Sequence, residues 1–441
     1  MTPVPVSMRI VHITAGAGGR ICGSCLHDNA LVRALVARGR DAILVPAFVP
    51  TTTDEENVAI DHVVMGGVNV WLQEHVPLLR YTPGFLDRPL DSQRLLGWLS
   101  SRTGSARPAD LGPLTVSTLE GEHGRQRKEV RKLGRWLASE QQPAVVHLAN
   151  VLLTGLASEI RRATGAKIVA SLSGEDVFID QLPEPHRSRV WELLRVRAAE
   201  VDHFVAFNHF FADFMTERMG LASSQVSVVP HGVDLTVFPP EPPDLIARRK
   251  TRGGRLVVGY LARACPEKGL DCLVRALAIL ARERDVAVVA AGAMIEAERT
   301  YLAGCLALAD ELGVADRFTW RGQVDREGKL SLLNEIDIFA LPTAHPEAKG
   351  LSVIEALAAG LPVVASNHGA LPELLDGGRA GLLHAPRDPA DLARIIATLA
   401  DDPALASACG RHGHALARAR HSADAMAAGH EALYERLGAH R

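Results

Sequence analysis

The chain has 441 residues, of which 47% are hydrophobic and 22% are charged, the balance of a soluble globular protein. This length exceeds what one hydrophobic core usually fills, so we expect two domains. The net charge of -3 argues against a general nucleic-acid binder, and six cysteines are too few for a disulfide scaffold. Since we find neither a membrane-spanning apolar run nor a signal-peptide pattern, we expect a cytoplasmic protein.

The first half of the chain alternates β-rich runs with helical patterns. Strands are predicted at MRIVHITAG, DAILVPAF, AVVHLAN, AKIVASLSG, HFVAFN and VSVVPHG. This alternation indicates βαβ units and a mostly parallel sheet. Residues 51–123 are less regular and partly rich in Pro and Gly, so we interpret them as an irregular insertion. We therefore predict an N-terminal Rossmann-like domain over residues 1–237.

A second series of strands follows a Pro-rich stretch at 238–254, which we interpret as a linker. Its strands are predicted at RLVVGYLA, VAVVAAG, RFTWRG, DIFALP, PVVAS and AGLLHA. Residues 255–415 then form a second Rossmann-like domain, and 416–441 fit a C-terminal helix that packs back on the first domain. The fold class is α/β, with two doubly wound domains facing across a cleft. Because ligands bind such sheets at the carboxyl ends of the strands, we expect the site in that cleft.

The loop after RLVVGYLA carries two cations, Arg263 and Lys268, and then Gly269. An arginine grips two oxygens at once and a lysine acts as a point charge, so the pair suits a diphosphate. The alternative is a solvated basic loop, which is common on protein surfaces.

A short predicted helix, LSVIEALAAG, begins after the loop TAHPEAKG. We expect the amides of Gly350, Leu351 and Ser352 to be unpaired there, and the helix dipole adds to their attraction for an anion. Glu347 and Glu355 then flank the anion as acceptors for sugar and ribose hydroxyls. Taken singly, Glu347 could be a solvated loop charge and Glu355 a dipole partner. Together with the two cations upstream, they favour a nucleotide-sugar site.

These motifs resemble the retaining nucleotide-sugar glycosyltransferases of family four, which have two Rossmann-like domains in the GT-B architecture. The resemblance covers nearly the whole chain. It is most specific at ARACPEKG, RGQV, DIFALPT, HPEAKGLSVIEALAAGLPVVAS and GALPELLDGGRAGLL, with PHGVD closing the first domain.

The resemblance implies a role for each residue of the second half. Arg263 and Lys268 would bind the donor diphosphate and stabilise the leaving group. Glu355 would hold the ribose, and Glu347 the donor sugar near its reacting carbon. The backbone contacts to the donor would come from Gly350, Leu351, Ser352 and Val324. The family needs no metal or other cofactor, so the two cations would do a metal's electrostatic work.

Two departures from the family pattern concern the substrates. The family often has a small residue and then an aromatic one just before the helix, where this chain has Ala348 and Lys349. The family often has His at the position of Ser173, which cannot act as a base near neutral pH. Glu175 and Asp176 follow and could serve the acceptor; the alternative is a charge cluster at a helix N-terminus.

The first loop, TAGAGGRICGSCLHDN, is rich in glycine but is not a dinucleotide fingerprint, because the third glycine would fall at Ile21. A dehydrogenase is therefore unexpected. We interpret this loop as lining the cleft opposite the diphosphate, with Gly18 and Gly19 binding the donor and Arg20 able to reach substrate.

Cys22 and Cys25 form a Cys-x-x-Cys at the start of the next helix, where thiol pKa values fall. Small packed loop residues are the favoured interpretation, and a redox or metal role is the alternative. The basic helix predicted in 124–140 could meet anionic lipid, but a solvated face over a buried stripe is favoured.

The sequence thus predicts a retaining glycosyltransferase that uses a nucleoside-diphosphate sugar, UDP-linked rather than GDP-linked. Its acceptor would be a small molecule, a glycan or a lipid-linked sugar, and no nucleic-acid partner is expected. An epimerase or phosphorylase on the same fold is one alternative. A sugar-nucleotide sensor without catalysis is another, favoured by Ser173.

Overall fold

A computed structural model describes residues 8–16, 23–61, 63–66, 70, 108–294 and 296–438. The chain forms two compact units, one of Met1–Gly232 with Ala423–Arg441 and one of Val233–Ser422. Each unit contains a six-stranded sheet in which every paired strand is parallel. The predicted α/β class with two Rossmann-like domains is confirmed.

The sheet of the first unit has the order β2-β1-β3-β4-β5-β6. Its strands are β1 Ile10–Thr14, β2 Ala42–Pro46, β3 Val145–Leu148, β4 Lys167–Leu172, β5 His203–Ala206 and β6 Val226–Val228. Its helices are α1 Gly23–Ala37, α2 Pro108–Glu120, α3 Arg127–Trp136, α4 Ala157–Thr164, α5 Asp176–Asp180, α6 His186–Arg197 and α7 His209–Met219. Most strand residues are buried on both faces, as in parallel sheets covered by helices.

Part of the region expected to be an irregular insertion, 51–123, is helical. Helix α2 spans Pro108–Glu120 and packs against α6, where the His186 ring fills the space that a side chain at Gly112 would need. The expectation fails here because Gly112 and Pro113 interrupt the helical pattern in the sequence, while packing still holds the helix. Leu119 is fully buried in this contact region.

The predicted basic helix is α3, which continues as a π-helical turn over Leu137–Gln141. Val130 and Leu133 are buried, whereas Arg131 and Arg135 are exposed. The expected buried stripe under a solvated basic face is therefore present. Within the described ranges, we find no helix with the length and apolar character needed to span a bilayer.

The last helix of the chain, α16 (Ala423–Gly438), belongs to the first unit. Its residues Met426, Leu433 and Tyr434 join the same buried cluster as residues of β1, β3 and α1. Its Glu431 accepts a hydrogen bond of 2.8 Å from Nε of Arg38, which follows α1. The helix thus completes the core of a unit whose first segment begins at Met1 and ends at Gly232.

Histidines from β1, β3 and α16 lie close together in this buried region. The Nδ1 atom of His147 lies 2.6 Å from the Tyr434 hydroxyl, and its ring centroid is 5.4 Å from that of His430. His12 lies 4.6 Å from His147 between ring centroids and 3.0 Å from the Asp28 carboxylate. Burial is the main cause that lowers the pKa of His147 well below its usual range and that of His430 to about 4. The imidazoles of His147 and His430 are therefore neutral at pH 7.

The sheet of the second unit has the order β12-β11-β10-β7-β8-β9. Its strands are β7 Leu256–Leu261, β8 Val286–Ala291, β9 Phe318–Trp320, β10 Ile338–Leu341, β11 Val363–Ser366 and β12 Gly381–His384. Its helices are α8 Leu245–Thr251, α9 Leu270–Leu280, α10 Arg299–Glu311, α11 Arg326–Glu335, α12 Leu351–Ala358, α13 Leu371–Leu374, α14 Pro389–Asp401 and α15 Pro403–Arg420. The strand order reverses between β7 and β10, the position at which ligands bind in such sheets.

The stretch interpreted as a linker, 238–254, lies inside the second unit instead. Phe238 and Leu245 are buried in its core, and Asp244 caps α8 by accepting hydrogen bonds from two amides of its first turn. Proline residues gave this stretch the composition of a linker, but the buried side chains of Phe238 and Leu245 anchor it. The units accordingly divide at Gly232 and Val233, and again at Ser422 and Ala423.

Candidate active site

The site lies in the second unit at the point where the strand order reverses. Strands β7 and β10 pair there, and the loops that follow them are joined by backbone hydrogen bonds. The carbonyl of Glu267 accepts from the amides of Ala344, at 2.9 Å, and His345, at 3.3 Å. Gly269 permits this approach, because a Cβ at that position would lie only 1.9 Å from the Pro342 carbonyl oxygen. The two loops are thus fixed to each other.

Lys268 and Glu347, one from each loop, form an ion pair across this junction. The Glu347 side chain is 8% exposed, and its second oxygen accepts from the amides of Lys349 and Gly350, both at 3.3 Å. Burial alone would raise the pKa of Glu347, but the Lys268 charge and these hydrogen bonds lower it to about 2. Glu347 is therefore ionised at neutral pH and cannot donate a proton.

Helix α12 begins at this pair, with Gly350 as its N-terminal cap. The expectation that the Gly350 amide is open to an anion is wrong, because that amide donates to Glu347. Glu347 lies three residues before Gly350, so its side chain can reach forward to the start of the helix. Leu351 and Ser352 are the first two residues of the helix, so their amides lie next to the Gly350 amide that Glu347 binds.

Glu355 lies one turn further along α12 and pairs with Lys329 of α11 at 2.7 Å. The two side chains are 8% and 15% exposed, so the ion pair is largely buried. A buried carboxylate needs such a partner, because removing it from water is costly. Lys329 was not foreseen from the sequence: its contact joins residues 26 positions apart, and no local pattern marks it.

Arg263 lies at the start of the loop after β7, with 48% of its side chain exposed. Its guanidinium Nη1 lies 3.0 Å from the Glu298 carboxylate, which is a second partner that the sequence analysis missed. The hydroxyl of the fully buried Tyr260 donates to the Arg263 carbonyl at 3.1 Å. The two predicted cations therefore share one loop but pair with different acids.

Val324, expected to border a nucleotide base, is partly buried and packs against the core of the second unit. It precedes Asp325, whose side chain caps α11 by accepting from the Gly328 amide at 2.8 Å. The loop after β9 is thereby anchored to the helix that carries Lys329.

The residues predicted on the acceptor side lie in the first unit, after β4. The Ser173 hydroxyl and amide both donate to the Glu175 carboxylate, each at 2.8 Å. The same carboxylate accepts from the Val151 amide at 3.3 Å. Ser173, Glu175 and Asp176 are all buried, so the serine and the first acid hold two loops together in this structure. Gly18, Gly19, Arg20 and Cys22 lie outside the described residues, and Cys25 is buried.

Comparison with protein families gives two matches that together cover most of the chain. The model described as Glycosyl transferases group 1 matches residues 243–415, and the model described as Glycosyltransferase Family 4 matches residues 101–237. The first match contains every predicted donor-site residue except Gly18 and Gly19.

Two relatives illustrate the similarity. A GDP-mannose-dependent alpha-(1-6)-phosphatidylinositol monomannoside mannosyltransferase of Mycobacterium tuberculosis is 30% identical over 67% of this chain and 77% of its own length. A D-inositol 3-phosphate glycosyltransferase of Streptomyces avermitilis is 34% identical over 54% of this chain. The chain spans only about half of that second relative, at 52% of its length.

Solved structures resemble the whole chain in fold. Sucrose-phosphate synthase from Thermosynechococcus elongatus has a TM-score of 0.71 at 19% identity, over 98% of this chain and 100% of its own. An Anabaena protein in complex with UDP and glucose has a TM-score of 0.65 at 18% identity, over 98% and 99% of the two chains. At such identities the likeness concerns the fold.

Proposed function

Because this chain belongs to glycosyltransferase family four, we propose that it transfers a sugar, with retention of configuration, from a nucleoside-diphosphate sugar to an acceptor hydroxyl. The proposal rests mainly on one observation. Where the strand order of the second sheet reverses, an ammonium and a guanidinium lie on one loop, and the adjacent loop leads into the N-terminus of α12, where Glu347 already binds the Gly350 amide and the Leu351 and Ser352 amides follow. This combination suits the charge of a diphosphate leaving group.

In this proposal Lys268 and Arg263 stabilise the diphosphate as its negative charge grows. Lys268 need not release Glu347 to do so, because an ammonium has three N–H donors. The pair instead holds the ammonium at the junction of the two loops, so that little reorganisation is needed when the donor binds. No metal is required for this role, since two fixed cations supply the positive charge.

Glu347 would hold the donor sugar, and Glu355 the ribose. As an ionised carboxylate, Glu347 accepts hydrogen bonds from sugar hydroxyls and stabilises the positive charge that develops on the sugar ring. The bond between the anomeric carbon and the phosphate oxygen breaks, and the acceptor oxygen bonds to that carbon on the same face. The acceptor's proton passes to the leaving phosphate, so no enzyme base is needed at Ser173.

The nucleotide of the donor is the finer part of the proposal. We retain UDP as the first nucleotide to test. The mycobacterial relative is named for GDP-mannose, so GDP-sugars belong in the same screen. The relatives are also named for D-inositol 3-phosphate and phosphatidylinositol monomannoside, and these two compounds should be included among the acceptors that are tested.

Thermal unfolding of the full chain with UDP-, GDP- and ADP-sugars tests donor binding, because a ligand of the folded state raises the melting temperature. NMR of the stabilising donor, with and without acceptors, then tests transfer. We expect an α-linked donor to give an α-linked product. A sugar changed without any acceptor would instead indicate an epimerase, and tight binding without turnover would indicate a sensor.

A further inference from the structure

The loop after β8 supports Arg263 from its backbone side. The Ala293 carbonyl accepts from the Ala264 amide at 3.3 Å, next to Arg263 in the chain. Gly292 makes this contact possible, because a Cβ there would lie 1.8 Å from the Ala262 carbonyl oxygen and 3.3 Å from the Arg263 amide. The backbone on either side of Arg263 is therefore packed against the loop after β8.

The same segment supplies the acid that meets the Arg263 side chain. Glu298 ends a short 3-10 helix, Glu296–Glu298, that precedes α10, and its side chain is only 9% exposed. The neighbouring pair of Glu296 with Arg299 differs, since those side chains are 72% and 65% exposed. Exposed ion pairs fix little, whereas a buried carboxylate has a defined position and can orient its partner.

We propose that Glu298 is a positioning residue, which orients the Arg263 guanidinium so that its remaining N–H groups meet the donor diphosphate. Arginine has five N–H donors in a planar fork, and one contact through Nη1 leaves the others available. Nearly half of the Arg263 side chain is exposed, so without Glu298 it would sample several rotamers before each binding event. This inference rests on the proposed function, because it assumes that a diphosphate binds at Arg263.

The charge of Glu298 and its positioning role have opposite effects on diphosphate binding, so substitutions can separate the two. A carboxylate near a diphosphate repels it, whereas a fixed guanidinium attracts it. Glu298→Gln keeps an oxygen acceptor at the same place and removes the charge, so diphosphate binding should be unchanged or tighter. Glu298→Ala removes both, and we expect binding to weaken roughly 3- to 10-fold, the cost of ordering one flexible side chain on binding.

The experiment is calorimetry on the full chain with UDP and GDP, and with UMP and GMP as ligands that lack the β-phosphate. Glu298→Ala should weaken diphosphate binding and leave monophosphate binding within twofold. In an Arg263→Met background, the same change should have no further effect. Glu296→Ala, on the same 3-10 helix, is the matched control and should bind like the unaltered chain.

Four outcomes would overturn the inference. Three of them are equal weakening for diphosphates and monophosphates, an undiminished effect in the Arg263→Met background, and Glu298→Gln behaving like Glu298→Ala. If the unaltered chain bound diphosphates and Glu298→Ala bound them equally well, this inference alone would fall. If the unaltered chain bound none of the four nucleotides and none of the UDP-, GDP- and ADP-sugars of the thermal screen, the proposed function would fall as well.

Discussion

Replacing Lys268 with alanine tests the charge arrangement of the site through both turnover and stability. In the proposed reaction the ammonium stabilises the leaving diphosphate. Removing one such charge-stabilising donor typically lowers turnover about 10²- to 10³-fold, or about 2.7–4 kcal/mol. Lys268→Arg keeps a cation at the position and should retain more activity than the alanine variant, because part of the role is charge alone.

The stability change follows from the buried partner. The fall in the pKa of Glu347 from 4.5 to about 2 corresponds to about 3 kcal/mol, which is what its partners contribute after the cost of burial is subtracted. The amides of Lys349 and Gly350 remain in the variant, so we expect Lys268→Ala to lower the free energy of unfolding by about 1–3 kcal/mol. Because the folded pKa is depressed, this stabilisation is complete above about pH 4.5 and is lost as the pH falls toward 2.

Urea unfolding at pH 7 and single-turnover kinetics measure the two effects on the same variants. Glu347→Gln removes the buried charge that Lys268→Ala leaves without its partner. The free energy of unfolding of the double variant Lys268→Ala with Glu347→Gln should therefore be higher, by about 1 kcal/mol or more, than the sum of the two single losses predicts. Its turnover should stay low. Lys250→Ala, an exposed lysine of α8, is the matched control. Near-normal turnover of Lys268→Ala would refute the catalytic role, and strictly additive stability changes would refute the coupling.

Three further predictions concern other parts of the chain. Gly269→Ala should lower the free energy of unfolding by about 1–3 kcal/mol or more, because φ is +68° and a Cβ would meet the Pro342 carbonyl oxygen. The control is Gly254→Ala in the same urea titration. Gly254 has φ +89° and open space around it, so this variant measures the cost of the positive φ alone. Since burial lowers the pKa of His430 from 6.5 to about 4 and that of His147 also falls, stability should be constant above pH 6.5 and should decline by about 3 kcal/mol for His430 alone as the pH drops to 4. A free energy of unfolding that stayed flat down to pH 4 would contradict this assignment. Excess EDTA should leave turnover unchanged, and a loss of activity that Mg²⁺ restores would contradict the proposed metal-free mechanism.

The sequence was sufficient to locate the strands, because most are short apolar runs bounded by turn residues. β7 and β10 illustrate this, since both match the predicted runs and are buried. The order of the strands within each sheet could not be predicted from the sequence, because similar runs in the two halves form sheets whose strand order reverses at different places. In the second sheet that reversal brings Lys268 next to Glu347, a contact that joins residues 79 positions apart.

The residues that sequence reasoning missed share a physical cause. Glu298 and Lys329 pair with site residues across separate elements, so nothing in their local sequence distinguishes them from surface charges. The opposite error occurred at 238–254, where local composition indicated a linker although Leu245 is buried. Local pattern therefore identifies the residues that face a ligand better than the residues that hold them in place.

The position of α16 has a consequence for synthesis on the ribosome. The segment Met1–Gly232 emerges first, yet the helix that covers part of its core is made only after all of Val233–Ser422. The amino-terminal strands must therefore wait with an uncovered apolar face while the later domain completes its own sheet. We expect nascent chains stalled before Ala423 to depend on chaperones, and released chains to finish the earlier half last.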